Sequence, residues 1–214
     1  DELGIPALQS WQALDLVDAA NPLIFGQAGV YGQRSSNLIL QNCDCLLTIG
    51  TRLAIPQVGY EISEFARAAD VMSVDIDQLE LDKYADRLSM AIHADAGAFV
   101  AELRAVLAER QAGGASCSAP QTWIDQCNVY RDRYPTIGPE HADTEGFINS
   151  YRFLREYEKH FHHDQIVVTD MGTALLSAFG VMELGEDQRL ITSTGLGEMG
   201  VGLPGAIGAS FARD

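Results

Sequence analysis

Short, uninterrupted apolar runs separate longer segments of mixed polarity, and this alternation limits the chain to few folds. The runs are Cys45–Ile49, Val71–Ile76, Gln165–Asp170 and Arg189–Ser193. Runs of this length are typical of strands that are buried on both faces of a parallel sheet. Parallel strands need a crossover connection between them, which is usually a helix. The pattern therefore predicts an α/β fold.

Apolar residues at helical spacing lie between these runs and beside them. They form three groups: Ile62, Phe65, Ala66 and Ala69; Phe99, Leu103, Val106 and Leu107; and Phe147, Tyr151 and Leu154. Each spacing predicts a helix with one apolar face. Residues 111–120 are small, polar and uncharged, which is typical of a linker. We predict two parallel-sheet, helix-flanked units on either side of it, the first unit (residues 1–110) and the second unit (residues 121–214).

The charge balance limits the partners of the chain. Its 214 residues carry 30 acidic and 14 basic side chains, a net charge of −16. Binding to nucleic acid or to an anionic membrane surface requires many lysines and arginines, so we expect neither. No apolar run approaches the roughly twenty residues that cross a bilayer. We expect a cytoplasmic protein that acts on small molecules.

Four cysteines are too widely or too closely spaced for a zinc site. They lie at positions 43, 45, 117 and 127, without the paired Cys-x-x-Cys pattern. We expect reduced thiols and no metal ligands among them.

The residues that follow predicted strands are the first candidates for a ligand site, because ligands bind at the carboxyl ends of strands in open α/β sheets. In the first unit, Gly50, Thr51 and Arg52 follow a strand, and the glycine-rich segment GQAGVYGQRSSN (residues 26–37) precedes it. Its glycines would let a nucleotide or flavin approach the backbone, with Arg34 or Arg52 at a phosphate. The alternative is loop glycines and surface arginines.

Acidic residues follow two further strands of the first unit. Asp75 and Asp77 lie in VDID (residues 74–77), and Asp95 follows the segment AIHA. A carboxylate in such a position either accepts hydrogen bonds from a ribose or adenosine group, or caps the helix that follows.

Two glycine-containing segments of the second unit also follow strands. They are TDMGTA (residues 169–174) and TGLGEMGVGLPG (residues 194–205). A strand, a glycine turn and a helix N-terminus together present backbone N–H groups to a diphosphate. Within the second segment, Met199 alone would be read as a buried core methionine. Glu198 is either an acid or base, or a carboxylate turned to solvent.

Taken together, these stretches resemble the thiamine diphosphate-dependent enzymes of the acetolactate synthase type. GLGEMGVGLPGAIGASFA (residues 195–212) is similar to the family's loop beneath the cofactor. GQAGVYGQRSSNLILQNCDCLLTIGTRL (residues 26–53) and VDIDQLELDK (residues 74–83) are similar to its central domain. The resemblance implies that the first unit is a central domain without its first strand, and that the second unit is the N-terminal part of the diphosphate-binding domain.

The same resemblance implies the roles of seven residues. Gly172 and Thr173 would lie near the diphosphate of the cofactor. The carbonyl of Gly197 and the N–H of Met199 would meet the aminopyrimidine edge, with the Met199 side chain wedged under the bent cofactor. Arg52, Asp75 and Asp95 would contact FAD or another nucleotide, if one is bound. No catalytic residue or metal ligand is carried over to this chain.

The resemblance also implies what the whole protein does. We expect a thiamine diphosphate- and Mg²⁺-dependent decarboxylase and carboligase of a 2-oxo acid that works as a homodimer or homotetramer. The family's Gly-Asp-Gly magnesium motif would follow residue 214, so we expect these residues to be an inactive piece of a larger enzyme. The alternative is a non-catalytic nucleotide-binding or scaffolding protein that retains the fold.

Overall fold

A computed structural model describes residues 3–115 and 118–212. Ser116 and Cys117 of the predicted linker lie outside the described residues, as do the first two and last two positions. The three other cysteines, Cys43, Cys45 and Cys127, are free thiols. Burial raises the pKa of Cys127 to about 11, so this thiol is protonated at neutral pH.

Strands and helices alternate along most of the chain. The first unit contains β1 (Ala7–Gln9), β2 (Ile24–Gln27), α1 (Arg34–Asn42), β3 (Cys45–Ile49), α2 (Ile55–Val58), β4 (Asp70–Asp75), α3 (Gln78–Asp82), β5 (Met90–His93) and α4 (Ala96–Ala112). The second contains α5 (Gln121–Arg133), α6 (Ser150–Glu158), β6 (Ile166–Val168), α7 (Thr173–Val181), β7 (Arg189–Ile191) and α8 (Gly202–Phe211). Short 3-10 turns lie at Trp11–Ala13, Ile62–Glu64 and Pro139–His141.

The named strands pair in parallel in three small sheets. β3, β4 and β5 form the largest, in that order, with Ile49 opposite Val74 and Asp75 opposite His93. β1 pairs with β2, and β6 pairs with β7. The predicted α/β architecture of parallel sheets and flanking helices is confirmed. Within the described part of the chain, no helix is long and apolar enough to cross a membrane.

The helix predicted from Ile62, Phe65, Ala66 and Ala69 is wrong. A 3-10 turn over Ile62–Glu64 is followed by turns, and Ala66 has a positive φ of 44°. Phe65, Ala66 and Ala69 are nevertheless buried in the core of the first unit. Arg87 makes this conformation stable, because its guanidinium donates to the Phe65 carbonyl at 3.0 Å, to the Ala69 carbonyl at 3.2 Å and to the Ala66 carbonyl.

Replacing Arg87 with methionine is expected to destabilise the first unit by about 2–4 kcal/mol, because buried carbonyls lose their charged donor. The measurement is chemical denaturation of the full-length protein. Arg67→Met is the matched control, since the ion pair that Arg67 makes among the described residues is with Glu64 at an exposed site. Such a pair contributes at most about 1 kcal/mol. Equal effects of the two substitutions would contradict the role of Arg87.

The second unit packs around α7. Ala178, Met182 and Leu184 are buried together with Leu14 of the first unit, and Leu154 of α6 packs against them. The helix predicted to include Phe147 begins later, because the Asn149 side chain caps it by accepting the N–H of Tyr151. Phe147 precedes this cap and is 77% exposed. The prediction that it lies on the apolar face of this helix is therefore wrong.

Side chains of each unit pack against the other unit. Cys127 of α5 is buried against Phe25 and Ile39 of the first unit. In the opposite direction, the Trp11 ring lies 5.1 Å from the Phe179 ring of α7. The boundaries at residues 110 and 121 stay a prediction, but α5 packs on the unit that precedes it in sequence.

Candidate functional site

The loop after β6 leads into a helix N-terminus that no side chain caps. α7 begins at Thr173, and Gly172 is its N-cap with a φ of 92°. The N–H groups of a first helical turn have no intrahelical partners. Space is open where a side chain at Gly172 would lie. These N–H groups and the helix dipole are therefore available to an anion.

Asp170 joins this loop to the glycine-rich loop after β7. Its carboxylate oxygens each accept the N–H of Gly200 at 2.8 Å. One of them also accepts the N–H of Met171 at 2.9 Å. The two predicted segments, residues 169–174 and 194–205, therefore form one site. Sequence reasoning gave Asp170 no role, although a lone carboxylate directly after a buried strand was a usable signal.

The glycines of α8 let this helix approach β6 closely. A Cβ added at Gly202 would lie 3.0 Å from the backbone nitrogen of Asp170. One added at Gly205 would lie 3.0 Å from a methyl group of Val168. Larger residues would push α8, and the loop before it, away from the helix N-terminus at Gly172.

Met199 is presented at the surface of the glycine-rich loop. Its side chain is 88% exposed, so the alternative of a buried core methionine is wrong. Gly197, two residues before it, has a φ of 72°, and a Cβ there would lie 3.3 Å from the Met171 Cε atom. An exposed methionine above a loop that is tied to a helix N-terminus is available to contact a ligand.

Glu198 is held as a carboxylate. It accepts a hydrogen bond from the Ser193 hydroxyl, and this bond lowers the pKa of Glu198. A carboxyl group with a lowered pKa is ionised at neutral pH and is not poised to donate a proton. The structure therefore does not support Glu198 as a general acid.

Thr169 provides a test of whether a polar ligand fits this edge. Its hydroxyl is buried and has no hydrogen-bond partner among the described residues. Thr169 directly follows β6 and precedes Asp170. A diphosphate fits this chemistry, since it needs N–H and O–H donors. Among residues 3–115 and 118–212, no cluster of three histidine, cysteine or acidic side chains could hold a metal ion.

The candidates of the first unit lie at the carboxyl edge of β3, β4 and β5. Arg52 follows β3 with a φ of 55°, and its guanidinium donates to Glu80 at 2.7 Å. Asp75 ends β4 and accepts the N–H of Asp77 at 2.9 Å. Asp95 caps α4 by accepting the N–H of Ala98 at 2.9 Å.

Each of these three side chains therefore already has a hydrogen-bond partner within the protein. Capping, the alternative to ribose binding, is what the structure shows for Asp95, and also for Asp77 at the start of α3. The Thr51 hydroxyl at the same edge is buried without a hydrogen-bond partner among the described residues. A nucleotide at Arg52, Asp75 and Asp95 stays a prediction.

Two models of one protein family match this chain. Residues 1–103 match the model "Thiamine pyrophosphate enzyme, central domain". Residues 152–214 match "Thiamine pyrophosphate enzyme, C-terminal TPP binding domain". The chain belongs to the thiamine pyrophosphate enzyme family. Thiamine pyrophosphate is another name for thiamine diphosphate, so the resemblance to this family is confirmed.

Individual relatives agree with this family. The chain is 30% identical to acetolactate synthase isozyme 1 large subunit of Escherichia coli (strain K12) over 209 residues, which are 98% of this chain and 35% of the relative. It is 30% identical to pyruvate oxidase of Lactiplantibacillus plantarum, with the same coverage. The acetolactate synthase large subunit of Parasynechococcus marenigrum is 29% identical, with 97% of this chain and 32% of the relative covered. The chain thus spans about a third of the length of these relatives.

Proposed function

We propose that the full-length protein uses thiamine diphosphate and Mg²⁺ to decarboxylate a 2-oxo acid and to transfer the remaining acyl group to an acceptor. Acetolactate synthases and a pyruvate oxidase are among the similar proteins. The observation that carries the proposal is the uncapped N-terminus of α7, which Asp170 ties to the loop of Met199.

Each part of this site has a separate task. The N–H groups of Gly172 and Thr173 donate to the diphosphate, where the dipole of α7 also favours negative charge. The Gly197 carbonyl and the Met199 N–H would hold the aminopyrimidine ring. The exposed Met199 side chain would contact the bound cofactor. When bound, thiamine diphosphate supplies the electron sink that lets a 2-oxo acid lose CO₂.

The proposal includes parts outside the described residues. We place the Mg²⁺ ligands after residue 214, where the cation would neutralise the diphosphate charge. We also propose that FAD or another nucleotide binds at Arg52, Asp75 and Asp95, and that the protein is a homodimer or homotetramer.

Release of CO₂ from pyruvate by the full-length protein tests the proposed reaction. We expect release that requires both thiamine diphosphate and Mg²⁺. Cofactor binding is measured separately, by isothermal titration calorimetry. Binding without CO₂ release would overturn pyruvate as the substrate. Absence of thiamine diphosphate binding would overturn the enzyme and favour a non-catalytic scaffold.

A further inference from the structure

A cavity of about 630 Å³ lies between the two units. β2 and the start of α1 line it from the first unit, and the end of α5, α6 and the end of α7 line it from the other side. This volume is within the usual range for pockets that bind metabolites. The cavity is separate from the diphosphate site, because α7 begins at one and ends at the other. The nine residues of α7 span about 13 Å, which separates the two places.

Three arginines and two glutamates line this cavity, so its lining has a small excess of positive charge although the chain is strongly acidic. Arg131, Arg152 and Arg155 line it. Arg155 is neutralised by Glu158 at 2.7 Å and by Glu183 at 3.0 Å. Within the described ranges, Arg131 and Arg152 form no ion pair; Arg131 donates to the Asn128 side-chain oxygen at 2.5 Å, and the Glu156 carboxylate attracts Arg152 electrostatically.

The acidic side chains of the cavity are already paired. Glu183 pairs with Arg155, and Glu156 pairs with Lys159 at 2.7 Å. Among the described residues, Arg131 and Arg152 are the two guanidinium groups of the lining that form no ion pair. They belong to different helices, α5 and α6, so they approach the cavity from two elements. Two guanidinium groups suit a phosphate, which has three oxygens that accept hydrogen bonds.

A buried oxygen in the same cavity has no partner. Gln27 lines the cavity and is 3% exposed. Its carboxamide oxygen accepts no hydrogen bond from any described residue, while its nitrogen reaches only the Gln9 oxygen, at 3.4 Å. Buried polar atoms of native proteins are normally hydrogen-bonded. A ligand hydroxyl would supply the missing donor.

The aromatic side chains of the cavity are not free to stack on a base. The Arg131 guanidinium lies over the Phe25 ring at 4.9 Å. The Tyr134 ring is covered by Arg34 at 4.4 Å and approached by Arg133 at 5.5 Å. These contacts favour a ligand without a nucleobase.

We propose that this cavity binds a phosphorylated sugar or polyol. Its phosphate pairs with Arg131 and Arg152, and one of its hydroxyl groups donates to the Gln27 oxygen. The two units already meet at this place, where the Gln33 side chain donates to the Gly180 carbonyl at 3.1 Å. A bound sugar phosphate adds further bonds across this junction.

Isothermal titration calorimetry of the full-length protein tests this site. Glucose 6-phosphate is the probe, and saturating thiamine diphosphate and Mg²⁺ keep the other site filled. We expect saturable binding. Arg152→Gln is expected to weaken it about tenfold or more, because a charge-assisted hydrogen bond is lost. Arg152 is exposed on α6, so the variant should fold. Arg67→Gln is the control and should bind normally.

Four outcomes would overturn the proposal. Absence of saturable glucose 6-phosphate binding would exclude the site. Unchanged affinity in Arg152→Gln would place the ligand elsewhere. Tighter binding of AMP than of glucose 6-phosphate would exclude a ligand without a base. Equal affinity for inorganic phosphate would show that no hydroxyl group is recognised.

Discussion

Replacing Asp170 with alanine is expected to weaken thiamine diphosphate binding by about tenfold to a hundredfold. The Asp170 carboxylate accepts the Gly200 N–H with both of its oxygens, and it also accepts the N–H of Met171 at the start of the turn before α7. Hydrogen bonds to a charged acceptor contribute about 1.5–3 kcal/mol each, and each 1.4 kcal/mol is about tenfold in affinity. Without Asp170, the loop of Met199 is no longer fixed relative to the N-terminus of α7.

Titration of the full-length variants with thiamine diphosphate, in the presence of Mg²⁺, measures this effect. Asp170→Asn keeps one accepting oxygen and should lose less affinity than Asp170→Ala. Asp187→Ala is the control, because Asp187 is exposed in the turn before β7. An Asp170→Ala variant that binds with wild-type affinity would contradict the proposed role of this carboxylate.

The sequence predicted the strands that contain a short apolar run, and it missed β1 and β2. β3, β4, β6 and β7 were predicted from the runs Cys45–Ile49, Val71–Ile76, Gln165–Asp170 and Arg189–Ser193. β1 and β2 are three and four residues long and end in glutamines, so their sequences look like loops. Gln9 and Gln27 are nevertheless buried. Tertiary contacts, which the local pattern does not contain, make these strands.

The misplaced helix has a similar cause. The spacing of Ile62, Phe65, Ala66 and Ala69 correctly predicted burial of most of this group, but a series of turns satisfies that burial as well as a helix does. Arg87 decides between the two conformations because it binds three carbonyls of the segment. Its position about twenty residues along the chain made this contact unpredictable from the local pattern.

The candidate sites differ in how far the sequence predicts them. The proposed diphosphate site consists of two segments that each follow a strand, so a rule about strand ends was sufficient to predict it. The cavity between the units has no such signal, because Arg131 and Arg152 lie on separate helices and Gln27 ends a short strand. Only the packing of α5 and α6 beside β2 brings these residues together.

Replacing Gly32 with alanine is expected to destabilise the first unit by about 3 kcal/mol or more, a size that only a few mechanisms produce. A Cβ at this position would lie 2.4 Å from the Gln27 carbonyl oxygen, 2.7 Å from the Ala28 carbonyl carbon and 2.8 Å from the Gly29 nitrogen. All three are backbone atoms. The backbone carbonyl oxygen of Gln27 is also fixed, because it accepts the Gln33 N–H at 2.8 Å.

The thermal unfolding midpoint of the full-length protein measures this effect, and Gly195→Ala is the matched control. A Cβ at Gly195 would meet no atom within 4 Å, and neither glycine has a positive φ. The two substitutions therefore differ in steric overlap and not in left-handed backbone strain. We expect a large fall in the midpoint for Gly32→Ala and almost none for Gly195→Ala. Similar midpoints for both variants would mean that the turn over residues 27–33 relaxes around a methyl group, and close packing would then not explain why glycine occupies position 32.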